Sequence, residues 1–200
     1  MTETLAYEVE KKEGDFEIRR YVAHVMAHVD VEASFDDAMG IGFRILANYI
    51  FGGNRKRSKI EMTVPVEEER KGSEKIPMTA PVTEETLKDS EKIKMTTPVT
   101  EEATGNIHRI SFVMPSKYTL ETLPEPEDNR IKFEEVKEEK MAALRFKGRV
   151  KEKLALEKIR EMKDLLQKHN IEPKSNYIVA QYNNPAVPGF LRRNEILVEI

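Results

Sequence analysis

The sequence contains no cysteine and no tryptophan. Without a thiol there is no disulfide, no cysteine-held zinc or iron–sulfur cluster and no thiolate nucleophile. A reducing compartment is the natural setting. No stretch approaches the roughly 18 apolar residues that a membrane span needs. The N-terminal Met1-Thr2-Glu3-Thr4 has neither a basic start nor an apolar run, so a cytoplasmic protein with no membrane attachment is expected. Charge of one sign is lacking as well: 33 basic against 36 acidic residues leave a net −3, and the two signs are interspersed. That excludes the field a nucleic-acid partner would require. The basic run Arg55-Lys56-Arg57-Ser58-Lys59 follows Gly52-Gly53-Asn54 and reads as a solvated loop. There is no G-x-S-x-G, P-loop or dinucleotide fingerprint either.

What is present is enough for one core: 200 residues, 39% apolar and 34% charged, predict a single domain over 1–200. From Phe16 to Val31, β-branched and aromatic residues dominate. Val25, Ala27, Val29 and Val31 alternate there with His24, Met26, His28 and Asp30, the pattern of strands with one buried face. Ser34 then reads as an N-cap. A helix follows through Phe35, Ala38, Met39, Gly42, Phe43, Leu46, Tyr49 and Ile50 until Gly52-Gly53 stop it. The later half repeats this order, with strands over Ile131–Glu138 and Met141–Val150 and a helix over Lys151–Asn170. Setting Phe16-Glu17 against Phe133-Glu134 brings the second strands and both helices into register, which suggests duplicated ββα units. Asn176–Tyr182 and Glu195–Ile200 supply closing strands. The expected class is α+β, with two main helices on largely antiparallel sheet and a groove where the halves meet.

Between the halves one segment is written three times, at Lys59-Ile60-Glu61-Met62-Thr63-Val64-Pro65-Val66, Lys75-Ile76-Pro77-Met78-Thr79-Ala80-Pro81-Val82 and Lys92-Ile93-Lys94-Met95-Thr96-Thr97-Pro98-Val99. In an extended chain Ile, Met and the residue before Pro share one face and Thr takes the other, which implies short strands ended by proline. Three evenly placed thioethers could suit Cu(I), but methionine at alternating strand positions ordinarily fills a core. Pro77 removes a backbone donor and makes the second copy the least suited to a central strand. The segment thus reads as a repeated insertion around 59–102 whose copies are not structurally equal.

Six stretches, in order, carry a resemblance that covers almost the whole chain. They are Phe16-Glu17-Ile18-Arg19-Arg20-Tyr21; Tyr49-Ile50-Phe51-Gly52-Gly53-Asn54; Lys-Ile-x-Met-Thr-x-Pro-Val; Ile110-Ser111-Phe112-Val113-Met114-Pro115; Tyr182-Asn183-Asn184-Pro185; and Arg192-Arg193-Asn194-Glu195. The sequence resembles the SOUL, or haem-binding protein, family. The resemblance implies duplicated ββα units forming a distorted antiparallel β-barrel flanked by two main helices, similar to GyrI-like effector-binding domains. It also implies binding of haem, a porphyrin or a similar flat amphipathic molecule in an apolar groove beside the first helix. On this chain Met39, Phe43, Leu46, Ala47 and Ile50 form that stripe, although a plain core would demand the same residues. Some members carry a histidine where Arg20 stands here, and basic residues where Gly40 and Asn48 stand. Arg44, Arg192 and Arg193 are the candidates to meet ligand carboxylates instead.

His24 and His28 are four apart, a zinc spacing on a helix but roughly 13 Å on a strand. They read as exposed strand histidines, and either one alone is a candidate axial ligand of haem iron. Three functions follow: a non-enzymatic binder acting as carrier, buffer or sensor; a GyrI-like hydrolase or sensor, for which Glu195 is the carboxylate to test; and a protein-interaction module with an apolar groove. No catalytic residue is assigned for the first.

Overall fold

Valine and alanine at every second position of one nine-residue run seed the sheet, and two amphipathic helices cover it from one side. The computed structural model describes residues 3–55, 76, 79–80, 82–86, 107–183 and 187–200. In chain order the elements are β1 (Glu3–Thr4), β2 (Tyr7–Glu13), β3 (Phe16–Tyr21), β4 (His24–Glu32), α1 (Phe35–Ile50), β5 (Asn54–Arg55), β6 (Thr79–Ala80) and β7 (Val82–Thr86). There follow β8 (Ile107–Val113), β9 (Glu125–Pro126), β10 (Lys132–Val136), β11 (Glu139–Lys147), α2 (Glu152–Lys168), β12 (Ile178–Gln181), a 3-10 turn (Gly189–Leu191) and β13 (Arg193–Glu199).

Nine strands form one sheet in the order β10-β4-β8-β7-β12-β13-β11-β3-β2, antiparallel at every pairing. The expected distorted antiparallel barrel is a curled half-barrel, since among the described residues the edge strands β10 and β2 do not pair with each other. Among the described residues β1 pairs with β6, in parallel, and β5 with β9. The alternation in β4 turns Val25, Ala27, Val29 and Val31 into the core beneath α1, with Ile110 and Phe112 of β8. Phe16, Ile18, Ala142, Leu144, Val179, Ile196 and Val198 form the core beneath α2. The opposite face has no helix and holds a smaller cluster of Tyr21, Met141, Ala143, Ala180 and Leu197.

The periodicity read both helices correctly to within two residues. Ser34 caps α1, its Oγ accepting from Asp37 N at 3.3 Å, and Asp36 and Asp37 face the positive end of the helix. Gly53 N donates to Asn48 O beyond the last turn. Lys151 gives α2 no side-chain cap; Asp36 of α1 does, accepting from Glu152 N at 3.2 Å while Lys151 Nζ donates to its other oxygen at 2.9 Å. The two helix N-termini therefore meet over the sheet and close the junction of the halves.

Two central strands escaped the sequence reading. β7 and β8 carry Glu84 and His108 into the helix-covered face, so neither looks apolar enough in sequence. The second copy of the repeated segment also differs from expectation: its last residue, Val82, opens β7, which is bonded on both sides by β8 and β12. Pro77 and Pro81 both precede that strand in the sequence. Ile76 is buried, its N donating to Ile50 O at 2.6 Å. The copies at 59–66 and 92–99 lie outside the described residues.

Glu84 and His108 sit side by side under the helix junction, Oε1 and Nδ1 3.2 Å apart, each about 1% exposed. Phe35 packs edge-on against the imidazole at 5.8 Å. Burial, then the charge of Asp36, pushes the Glu84 carboxyl from the ordinary 4.5 to about 8. Burial pushes His108 down, against the opposing pull of Glu152. Around neutrality the pair is therefore a neutral acid whose O–H faces an imidazole nitrogen.

Because its folded pKa is raised, Glu84 stabilises the fold below pH 4.5 and that contribution is lost as pH climbs through 8. The residual titration of unfolded His108, whose ordinary pKa is about 6.5, is common to both proteins, so comparison over pH 6.5 to 8 isolates Glu84. There the wild type should lose about 2 kcal/mol relative to Glu84→Gln, at 1.36 kcal/mol per unit; parallel denaturation curves for the two would refute this. Gly42 provides a second test. A Cβ added there would lie 2.4 Å from Ile110 Cγ1 and 2.5 Å from its Cβ, so Gly42→Ala should destabilise by about 1–2 kcal/mol despite alanine's better helix propensity. A rise in melting temperature would contradict the close approach.

Candidate functional site

The predicted stripe on α1 divides into two rows. Leu46 and Ile50 point into the core, 0% and 1% exposed, beside Ala38 and Tyr49. Met39, Phe43 and Ala47 form a half-buried row along the flank, and the ring of Phe43 meets Phe112 edge-on at 5.4 Å. Arg44, Gly40 and Asn48 are exposed. The sheet thus takes up the deeper row, and only the flank remains for anything else.

Arg192 and Arg193 do not join Arg44. Arg192 Nε donates to Val187 O at 2.7 Å. Strand alternation in β13 sends Ile196 and Val198 toward α2 and turns Arg193, Glu195 and Leu197 to the face without helices. There Arg193 stacks on Tyr182, 4.2 Å from the ring centre, and donates to Glu195 Oε1 at 2.8 and 3.0 Å and to Tyr7 OH at 3.2 Å.

Glu195 itself is wholly buried. Arg19, also 0% exposed, grips it with two bonds, Nη1 to Oε2 at 2.6 Å and Nη2 to Oε1 at 3.0 Å, and Tyr182 OH donates to Oε2 at 2.7 Å. Arg19 Nε donates to Glu17 at 2.8 Å, and Lys12 closes the chain on Glu17 at 2.7 Å. Burial alone would raise the Glu195 carboxyl; the bonds from Arg19, Tyr182 and Arg193 overcome it and hold the group down at about 2. A carboxylate so saturated is a poor base or nucleophile, and its geometry is that of a structural hub. Sequence reasoning passed over Arg19, Tyr182 and Arg145, whose Nε stands 3.5 Å from Glu195 Oε1. The available signal was charge at alternate positions, Glu17 and Arg19 in β3 and Arg193 and Glu195 in β13, on strands whose other face is apolar.

The histidines are not both exposed as expected. His28 is 7% exposed, facing away from the helices opposite Ser111, and burial together with Arg109 depresses its pKa. His24 is half-buried at the start of β4. It lines a cavity of about 440 Å³ where the sheet ends. Leu5, Val25, Met114, Tyr118 and Leu120 provide the apolar wall. The volume falls within the roughly 300–1,000 Å³ range of small-molecule sites. Arg20, in the stretch just before, is drawn off to the sheet edge by Glu10 at 2.7 Å and Glu138 at 3.1 Å. Among the described residues no group of three or more histidine, aspartate or glutamate side chains is placed to hold a metal ion.

The reading of Glu195 as a hub predicts a large effect without chemistry. Its folded pKa is depressed, so its stabilisation is present above pH 4.5 and lost as pH falls toward 2. Holding the carboxyl down from 4.5 to about 2 corresponds to about 3 kcal/mol. Glu195→Gln, leaving Arg19 buried without its partner, should cost about 3–5 kcal/mol at pH 7 and remove that acid-dependent loss. A near-neutral denaturation profile would show the pair to be dispensable.

Comparison with known proteins agrees with this architecture. Three solved structures superpose along nearly their whole length. A hydrolase from Listeria innocua is 11% identical, with a TM-score of 0.54 over 94% of this chain and 93% of that one. An uncharacterized conserved protein from Listeria innocua is 10% identical, with a TM-score of 0.57 over 92% and 91%. The EcmrR C-terminal domain is 8% identical, with a TM-score of 0.56 over 98% of each chain. Identities this low speak to the fold alone. No curated protein matches the sequence. No helix among the described residues is long and apolar enough to cross a membrane. The pattern that defines one family does match, over residues 2–199, and the chain belongs to that family, the SOUL heme-binding proteins.

Proposed function

We propose that this protein binds haem or a related flat, amphipathic tetrapyrrole without chemistry of its own, as a cytoplasmic carrier or buffer. One observation carries the reading: in a chain of a heme-binding family, a preformed cavity of about 440 Å³ opens between apolar side chains at the end of the sheet. Burying the faces of a planar ring there is worth roughly 25 cal/mol per Å² of apolar surface. The half-buried flank row of Met39, Phe43 and Ala47 is the alternative seat. A hydrolytic role gains no support from Glu195, whose oxygens are all engaged.

The same reading takes the architecture as two strand-strand-helix units. The support lies in the sheet order, in which β10-β4-β8-β7 is mirrored by β12-β13-β11-β3 with each helix following its second strand. The first strand of each unit pairs with the other unit, so neither half could close its core alone.

Titration of the protein with haem should give a saturable Soret shift at one equivalent. Leu120→Asp, in the cavity wall, should weaken binding at least tenfold, whereas Phe43→Asp should leave it within about twofold, both variants being checked for native circular dichroism. Loss in Phe43→Asp alone would move the seat to α1, and absence of any saturable shift would overturn the proposal.

A further inference from the structure

The 3-10 turn that leads into β13 exposes two consecutive large apolar side chains, Phe190 at 71% and Leu191 at 59%. A single exposed apolar side chain is ordinary in a folded protein; a neighbouring pair on a rigid projection is not. The turn is held from within by Leu191 N to Pro188 O and Arg192 N to Gly189 O, both at 3.0 Å, and by Arg192 Nε to Val187 O at 2.7 Å. It is also fastened to the segment between β11 and α2. Gly148 N donates to Gly189 O at 3.1 Å, Asn194 Nδ2 donates to Gly148 O at 2.9 Å, and a Cβ at Gly189 would come within 3.2 Å of Arg149 N. The main chain thus spends its bonds on presenting Phe190 and Leu191 to solvent.

The charge around this point departs from the rest of the molecule. The chain as a whole is net −3, yet Arg145–Lys151 carries Arg145, Lys147, Arg149 and Lys151, and Val187–Arg193 carries Arg192 and Arg193, with no acidic residue in either segment. Arg145 and Arg193 are turned to Glu195, and Lys151 to Asp36 at 2.9 Å. Lys147 and Arg149 are exposed and enter no ion pair among the described residues. The acidic groups at the adjoining helix ends are Asp36, which Lys151 holds, and Glu152 in the first turn of α2.

From this arrangement we infer that the turn Pro188–Arg193, with Lys147 and Arg149 behind it, docks on a phospholipid membrane that carries anionic headgroups. Two adjacent side chains on the crown of a turn make a convex point, which a bilayer admits without a preformed pocket. Cations beside such a point meet the headgroup phosphates while the apolar tips pass between them. Two side chains and a few charges give a reversible contact and not an anchor. The sequence offered no span and no leader, but a contact at the surface requires neither. The inference goes beyond the ligand proposed above and does not depend on it, although a membrane is where a flat apolar ligand would partition.

Flotation of the full chain with vesicles, without added ligand, tests this. At about 0.1 M salt, vesicles of phosphatidylcholine and phosphatidylglycerol in equal parts should bind at least tenfold more tightly than phosphatidylcholine alone, and about 1 M salt should remove most of that difference. Phe190→Ser combined with Leu191→Ser should weaken binding to the mixed vesicles at least tenfold. Lys147→Glu combined with Arg149→Glu should lower it to the phosphatidylcholine level. All four positions are exposed, so both double variants should keep the wild-type circular dichroism and melting temperature. The chain has no tryptophan, so Phe190→Trp reports on the tip alone. Its emission should shift to the blue on mixed vesicles and be quenched by lipids brominated in the acyl chain. Binding that survives loss of both apolar side chains, or tryptophan emission unmoved in the bound state, would reduce the contact to adsorption by charge and overturn the proposal. So would absence of binding to either vesicle. A concentration-dependent dimer that Phe190→Ser abolishes would also overturn it, by assigning the tip to a second copy of the chain. None of these outcomes touches the haem titration, so the carrier reading stands or falls separately.

Discussion

The guanidinium of Arg19 has no route to water, and the helix-free face of the sheet is organised around that constraint. Both helices lie on one side, so the other side must satisfy itself. It does so by carrying the bidentate grip of Arg19 on Glu195 across β11, the strand between their own. The residue of β11 that faces this side between Met141 and Arg145 is Ala143, and Ala180 of β12 stands directly beside Glu195. Two alanines leave the width that two long side chains need, and Tyr7, Tyr21 and Tyr182 occupy the rest. Buried pairs of this sort gain little over a well-packed apolar alternative, but lose heavily when one partner is removed. The pair therefore locks β3, β11 and β13 in one register, because a slip of one residue would send a charge into the apolar core beneath α2.

The α1 half is built differently, and its cavity follows from how β8 ends. Met114 N donates to Val25 O, one bond beyond the strand, and Pro115 then has no N–H to continue the ladder. The chain turns away through Tyr118 N to Pro115 O and Leu123 N to Thr119 O before Leu123 re-enters the core. Between that detour and the start of β4 lies the cavity, bordered also by Thr4, Leu5 and Ala6 near the N-terminus. His24 stands at the first residue of β4, where the ladder of the neighbouring strand has just stopped. The same proline that terminates pairing thus opens the space that His24 lines.

Periodicity made β4, α1 and α2 legible because each places its apolar residues on one side by purely local rules. It failed where burial is decided by a partner far along the chain. Arg19 entered only as part of a family stretch and Glu195 as a candidate catalytic carboxylate, yet the two are satisfied by each other across 176 residues. Thr83-Glu84-Glu85-Thr86 shows no apolar alternation that would mark a central strand, although Glu84 is one of the most buried of the described groups. The α1 stripe was visible in full, but spacing cannot say whether an apolar face meets a sheet or a ligand. Leu46 and Ile50 met the sheet. For His24 the cavity depends on residues about 90 positions further on, beyond the reach of any motif.

The repeated segment can now be placed by the same reasoning. β7 begins with the final residue of the second copy and is hydrogen-bonded on both edges, by β8 and by β12. The third copy continues as Val99-Thr100-Glu101-Glu102, and β7 reads Val82-Thr83-Glu84-Glu85. A strand paired on both edges has no free ladder beside it. What singles out the occupant is the demand of that position: a small polar residue facing His28's side of the sheet, and a carboxyl that can sit protonated beside His108 beneath the two helix ends. Among the described residues, the pattern most conspicuous in the sequence thus contributes β6 and the opening residue of β7.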